Sequence, residues 1–253
     1  MKKVLLVMSS VAMLTACATK VEDPTPAPKV EHVIEKKDSN LVWEDNFDNL
    51  NKKRWNLLDE GWKDHGRLHR YVPKNVTVNK GILSLETKKE NYKGFTYTSS
   101  AITTQGKAPI KYGKIEVRAK FPKGKGLLPA IWMLPENGEP YPEIDFAELL
   151  AEKPNELWNV IHYQERGKHK RDFTGVTSKA NLTDDFHVYG VEWRKDKVTF
   201  TLDGKVTFVS KKSPNVPMYL YINTAVGGTW AGAPAKNQKF PVDFKIDYVR
   251  VYK

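Results

Sequence analysis

Within Glu143-Ile144-Asp145-Phe146-Ala147-Glu148, three carboxylates interleave with residues that belong in a core. Carboxyls held side by side can divide two tasks: one attacks an acetal carbon, while the other protonates the departing oxygen and later activates water. Successive strand side chains point to opposite faces, so Glu143 and Asp145 share a side and Glu148 has the wrong parity. A bulge after Asp145 inserts one extra residue and turns Glu148 back to that side, with Ile144 facing the core and Phe146 and Ala147 absorbing the irregularity. At roughly 3.3 Å per residue the outer Cα atoms then stand about 13 Å apart. Side chains leaning inward reach the ~5–5.5 Å carboxyl separation at which covalent capture works. Asp145, wedged between, would hold the attacking carboxylate and share its protons, since packed like charges cannot all ionise. The plainer alternative is a solvated strand face whose acids meet lysines.

Strands must position such a trio, and the chain is rich in them. Alternating runs recur at Val76-Thr77-Val78, Ile82 to Thr87, Lys114 to Phe121, Val198 to Leu202 and Asp247 to Tyr252. Asn79-Lys80-Gly81, Asp203-Gly204 and Ser213-Pro214-Asn215 supply turn chemistry between them. Helix signals are scarce, which gives an all-β assignment. From Leu41 onward about 210 residues remain, enough for one sandwich with a substantial core. No internal repeat or second-domain boundary is evident.

The first 40 residues read differently. Met1-Lys2-Lys3, an apolar run from Val4 to Leu14 and then Leu14-Thr15-Ala16-Cys17 read as a secretory signal, because the run is too short to span a membrane. The last four residues look like a lipobox, which predicts a signal over 1–16, lipidation of Cys17 and a cell-envelope address on the outer membrane or cell surface. Cys17 is the sole cysteine, so no disulfide forms within the monomer. Residues 17–40, rich in Pro, Lys and Glu, read as a tether, leaving 41–253 as the catalytic domain. The net charge of +11 falls to +9 once Lys2 and Lys3 leave with the signal. Its lysines are spread along the chain without a recognisable motif, and export also argues against nucleic acid as a partner. Seven tryptophans are many for this length and suit a site that needs flat apolar platforms for sugar rings.

The segments flanking the acids carry a resemblance. Upstream stand Tyr112-Gly113-Lys114-Ile115-Glu116-Val117-Arg118 and Leu128-Pro129-Ala130-Ile131-Trp132-Met133-Leu134-Pro135. Downstream stand Ile161-His162-Tyr163, Tyr189-Gly190-Val191-Glu192-Trp193, Asn223-Thr224-Ala225-Val226-Gly227-Gly228-Thr229-Trp230 and Ile246-Asp247-Tyr248-Val249-Arg250-Val251-Tyr252. From about Leu41 to the C-terminus this order resembles glycoside hydrolase family 16, in its bacterial laminarinase-like branch. The resemblance implies a β-jelly-roll sandwich of two antiparallel sheets with a concave cleft, and a retaining, endo-acting hydrolysis of a polysaccharide by a monomer. By motif position Glu143 matches the nucleophile, Asp145 the assisting acid and Glu148 the acid/base. Trp132, His162, Asn223 and Trp230 match cleft positions. Catalysis would need no cofactor, while a structural Ca²⁺ on the convex face would take Asp247 with carbonyls around Asn46 and Gly81.

Two departures bear on substrate. Ala101, in Tyr97-Thr98-Ser99-Ser100-Ala101-Ile102, stands where laminarinases typically carry a sugar-binding arginine, and Leu128 stands where they carry a tryptophan. The expected substrate is a β-1,3 or mixed β-1,3/1,4-glucan. The same mechanism on a galactan such as agarose or carrageenan, and a glycan-binding lipoprotein that no longer hydrolyses, are the alternatives.

Overall fold

Three tight turns set the hairpins. Lys80-Gly81, Arg166-Gly167 and Asp203-Gly204 each place two successive residues at positive φ, at 50° and 74°, 51° and 71°, and 49° and 77°. That is the two-residue mirror turn whose twist matches paired antiparallel strands. The turns join Val76–Asn79 to Ile82–Thr87, Glu156–Glu165 to Lys168–Thr177, and Val198–Leu202 to Lys205–Ser210. The first and third follow the sequence reading; the second adds a long hairpin that it did not anticipate.

The computed structural model describes residues 40–253, so the signal, Cys17 and nearly all of the tether lie outside the described residues. Its hairpins assemble into two antiparallel sheets. One runs Lys205–Ser210, Val198–Leu202, His187–Trp193, Gly113–Lys120, Val242–Tyr252, Ile82–Thr87 and Val76–Asn79, with Leu41–Asp45 also paired to Val242–Tyr252. The other runs Lys168–Thr177, Glu156–Glu165, Glu143–Leu149, Leu127–Pro135, Met218–Val226, Ala101–Thr103 and Asn56–Leu57. A short parallel pair, His69–Tyr71 with Tyr97–Ser99, stands apart from both sheets. Among the described residues helix is confined to two 3₁₀ turns, Asp64–Gly66 and Pro73–Asn75.

The core lies between the sheets. Leu83, Leu85, Ile115, Val117 and Phe200 from the first sheet and Ile131, Met133, Ile144, Ile161 and Ile222 from the second are all fully buried. Each contributes about 1.5–3 kcal/mol by leaving water. This alternation fixes the register of the acidic strand: a slip of one residue would carry Glu143 and Asp145 inward and Ile144 out. Trp55 and Trp193 are packed in the core, and Trp43 is partly buried against it, its ring covered by the Arg54 guanidinium at 4.5 Å.

Candidate active site

The bulge is present. Against Glu156–Glu165 the acidic strand pairs Glu143 with His162, Asp145 with Val160 and Glu148 with Trp158, and the register shifts between Asp145 and Glu148. Against Leu127–Pro135 it pairs Asp145 with Trp132, Ala147 with Ile131 and Glu148 with Ala130, shifting between Asp145 and Ala147. Phe146 is therefore the extra residue, and Ile144, Phe146 and Ala147 are all fully buried. Such an insertion leaves ladder groups unpaired. Asn159, itself fully buried, donates from Nδ2 to the Phe146 carbonyl at 2.9 Å and accepts at Oδ1 from Thr207 Oγ1 at 2.7 Å. The irregularity is thus tied to the opposite sheet through Thr207.

All three acids lie on the face turned away from the core. Burial and then the Asp145 charge push Glu143 up to about 9, and burial and then the Glu143 charge push Glu148 up to about 8. Asp145, 2% exposed, is raised by burial and by Glu148 and meets Glu143 through a hydrogen bond. Among the described residues no lysine or arginine pairs with the trio; the cationic-capable neighbour is His162, whose Nε2 lies 3.3 Å from Asp145 Oδ2 and 4.0 Å from Glu143 Oε1. The acids therefore titrate as one system that holds on to protons. One ionised and one protonated carboxyl can coexist there, which is the division that double displacement uses.

Aromatic side chains flank the acids on both sides. Trp132 donates from Nε1 to Asn223 Oδ1 at 2.8 Å and lies against Tyr221, with ring centroids 4.6 Å apart. Asn223 in turn donates to the Tyr71 hydroxyl at 2.8 Å. Beside Glu148, Trp158 meets the edge of Trp230 at 5.8 Å and Phe173 at 6.2 Å, and Trp230 and Phe173 are 44% and 47% exposed. The structure thus brings Trp132, His162 and Asn223 to the acidic face and sets Trp230 beside it through Trp158. Sequence reasoning passed over Tyr71, Tyr219, Tyr221, Phe173 and His169. For Tyr219 and Tyr221 a signal existed: they share strand parity with Asn223 on Met218–Val226, while Met218, Leu220 and Ile222 fill the core.

Both departures fall on this face. Ala101 pairs with Asn223 and packs with Tyr71, Tyr219 and Tyr221, and Leu128 pairs with Ala225. The space beside Ala101 is filled by tyrosine rings.

Two residue sets invite a metal. Donor atoms of Glu143, Asp145 and His162 lie within 4.8 Å of one another, but the hydrogen bond between the two carboxyls and their raised proton affinities fit proton sharing. At the expected calcium set, Gly81 adopts φ +74° and a Cβ there would lie 3.6 Å from the Asn46 carbonyl, so those two are neighbours. Asp247, however, accepts a short hydrogen bond from Arg118 Nη1. An arginine neutralising the single carboxylate opposes a divalent cation, so the set as arranged does not fit Ca²⁺.

The glycosyl hydrolases family 16 profile matches residues 68–250, more than half of the chain. The chain belongs to that family. A Beta-glucanase of Rhodothermus marinus is 32% identical over 253 residues, covering 84% of this chain and 85% of that protein. Glucan endo-1,3-beta-glucosidase A1 of Niallia circulans is 30% identical over 259 residues, covering 85% of this chain but only 38% of its own length. Among solved structures, the laminarinase catalytic domain of Thermotoga maritima MSB8 superposes with a TM-score of 0.76 at 35% identity, covering 84% of this chain and 97% of that one. The two antiparallel sheets are accordingly the family 16 jelly roll, and the protein is a glycoside hydrolase.

Proposed function

We propose that the protein is a retaining, endo-acting β-glucanase that cleaves internal β-1,3 or mixed β-1,3/1,4 linkages. The observation that carries this reading is the bulge that returns Glu148 to the face of Glu143 and Asp145. Glu143 attacks the anomeric carbon and Glu148 protonates the leaving oxygen; Glu148 then takes a proton from the water that releases the glycosyl-enzyme. Asp145 holds Glu143 and returns a shared proton to it as charge moves. Carboxyl chemistry of this kind uses no cofactor. Trp132 and the Trp158–Trp230 pair offer flat apolar surfaces for pyranose faces on either side. The β-glucan substrate is supported by the names of the relatives.

The decisive experiment is a panel of laminarin, mixed-linkage glucan, xyloglucan, agarose and carrageenan, with new reducing ends counted, oligosaccharides sized and the first product anomer read by NMR. Internal cleavage of a glucan with β-anomer released first is expected. Cleavage confined to agarose or carrageenan would move the substrate to a galactan, and binding without new ends would make the protein a lectin.

The N-terminal motif supports a cell-envelope address through a lipid on Cys17. Among the described residues no helix is long and apolar enough to cross a membrane; in this reading the lipid on Cys17 supplies the anchor. Cys17→Ser should release the protein from the membrane fraction; retention there would refute the anchor.

A further inference from the structure

His169 lies outside the acidic motif, on the strand Lys168–Thr177, yet it reaches the acids through one intermediary. His162 Nδ1 and His169 Nε2 are 2.8 Å apart. Their ring centroids are 5.0 Å apart with planes inclined by 14°, so the imidazoles meet edge to edge and nearly coplanar. Tyr141 lies over His169 at 4.6 Å and 17° and holds that ring in orientation. On its other side His162 turns Nε2 toward Asp145 Oδ2 at 3.3 Å, a buried oxygen that lacks a hydrogen-bond partner of good geometry.

A neutral imidazole carries one proton, so the nitrogen that holds it is set by the partner of the other nitrogen. Burial lowers the proton affinity of both histidines, and Arg171 on the same strand lowers it further, while Glu143 opposes this at His162. Among the described residues Glu143 and Asp145 from the acidic strand, Arg171 and Tyr141 are the titratable and charged groups facing the pair. These influences favour the neutral form of both rings. Asp145 meets Glu143 through a hydrogen bond, which leaves Oδ2 to accept.

We propose that His169 is a positioning residue: it donates from Nε2–H to His162 Nδ1 and so fixes the His162 proton on Nε2, the nitrogen that lies 3.3 Å from Asp145 Oδ2. That donor favours ionised Asp145 and eases loss of the proton it shares with Glu143. Without His169 the His162 proton can move to Nδ1, toward water, and a lone pair then faces Oδ2. The acids would hold their protons more tightly. The kinetic part of this inference rests on the roles assigned to Glu143 and Asp145; the position of the proton does not.

The test compares His169→Phe, which keeps a ring under Tyr141 and removes the donor, with His169→Gln, which keeps a donor. Two-bond ¹H–¹⁵N spectra of ¹⁵N-histidine protein, with His162→Gln giving the assignment, read the tautomer without any substrate. The wild type and His169→Gln should show Nε2–H at His162, and His169→Phe should show Nδ1–H or a mixture. On the glucan cleaved by the wild type, the acidic limb of kcat/KM should move about half a pH unit or more upward in His169→Phe, with kcat at pH 5–6 several-fold lower and KM little changed. His169→Gln should restore both. An Nε2–H tautomer retained in His169→Phe overturns the proposal, as does an Nδ1–H tautomer in the wild type or equal loss in both variants. If no polysaccharide is cleaved, the assigned function fails while the tautomer measurement still decides the role of His169.

Discussion

Replacing Glu143 with Gln should stop turnover and make the protein more stable at neutral pH. Folded, Glu143 keeps a proton that it shares with Asp145 up to about 9, against an ordinary 4.5, and that proton passes to Asp145 as Glu143 attacks. The folded state therefore binds more protons than the unfolded chain between these values, so stability is full below the lower one and declines as pH rises toward the upper. At pH 7, well above 4.5, keeping this carboxyl protonated in the fold has a ceiling of about 3 kcal/mol. The side chain retains 21% exposure, and Asp145 ionises more readily once its neighbour is neutral, so the gain from Gln settles at about 1–2 kcal/mol. For a chain of this size that is an increase of ~2–8 °C in Tm at pH 7. Near pH 4 the two proteins should agree closely, because the carboxyl is then mostly protonated in both states. Urea titrations at the two pH values, beside a reducing-end assay, measure the effect. Equal stability of the pair at both pH values, or a Gln variant less stable at pH 7, would refute the reading of Glu143 as a buried, proton-retaining acid; surviving turnover would refute its role as nucleophile.

Other outcomes follow from the same geometry. Asn159→Ala orphans the Phe146 carbonyl and Thr207 Oγ1, which should cost about 2–4 kcal/mol and, by loosening the bulge under Glu148, lower kcat by ~10²-fold; an unchanged kcat in the folded variant would separate the bulge from catalysis. Ala101→Arg should not rebuild a sugar contact, because the site is 1% exposed and bordered by Tyr71, Tyr219 and Tyr221. Forcing an unpaired charge there should destabilise by about 3 kcal/mol or more, and a thermal melt within a degree of wild type would show that room exists. Trp230→Ala removes a 44% exposed ring and should raise KM by ~5-fold, near 1 kcal/mol, with Tm unchanged; an unaltered KM would take Trp230 out of substrate contact.

Much of the acidic site was legible because it obeys strand parity. Glu143 and Asp145 share a face by their spacing, and Glu148 joins them only through one inserted residue, so the bulge could be inferred before any fold was known. The turn residues Lys80-Gly81 and Asp203-Gly204 were readable for a similar local reason, since positive φ at two successive positions favours Gly and its neighbours. Asp247 shows the opposite case. Its motif position suggested a cation site, but Arg118, 129 residues away in the chain, holds its carboxylate, and nothing local to Asp247 announces that partner.

By itself, the sequence determined the all-β class, the shared side of three carboxylates and a proton chemistry suited to an acetal, because each depends on residues within a few positions of one another. Only the tertiary structure decided what surrounds them. Asn159 reaches the bulge from the next strand, Tyr71 meets Asn223 across 152 residues, and His169 comes to His162 through the Arg166-Gly167 hairpin. Such contacts depend on which strands pair and in what register, and pairing is set by the whole core, where burying the alternating apolar set of every strand at once leaves one arrangement of the sheets.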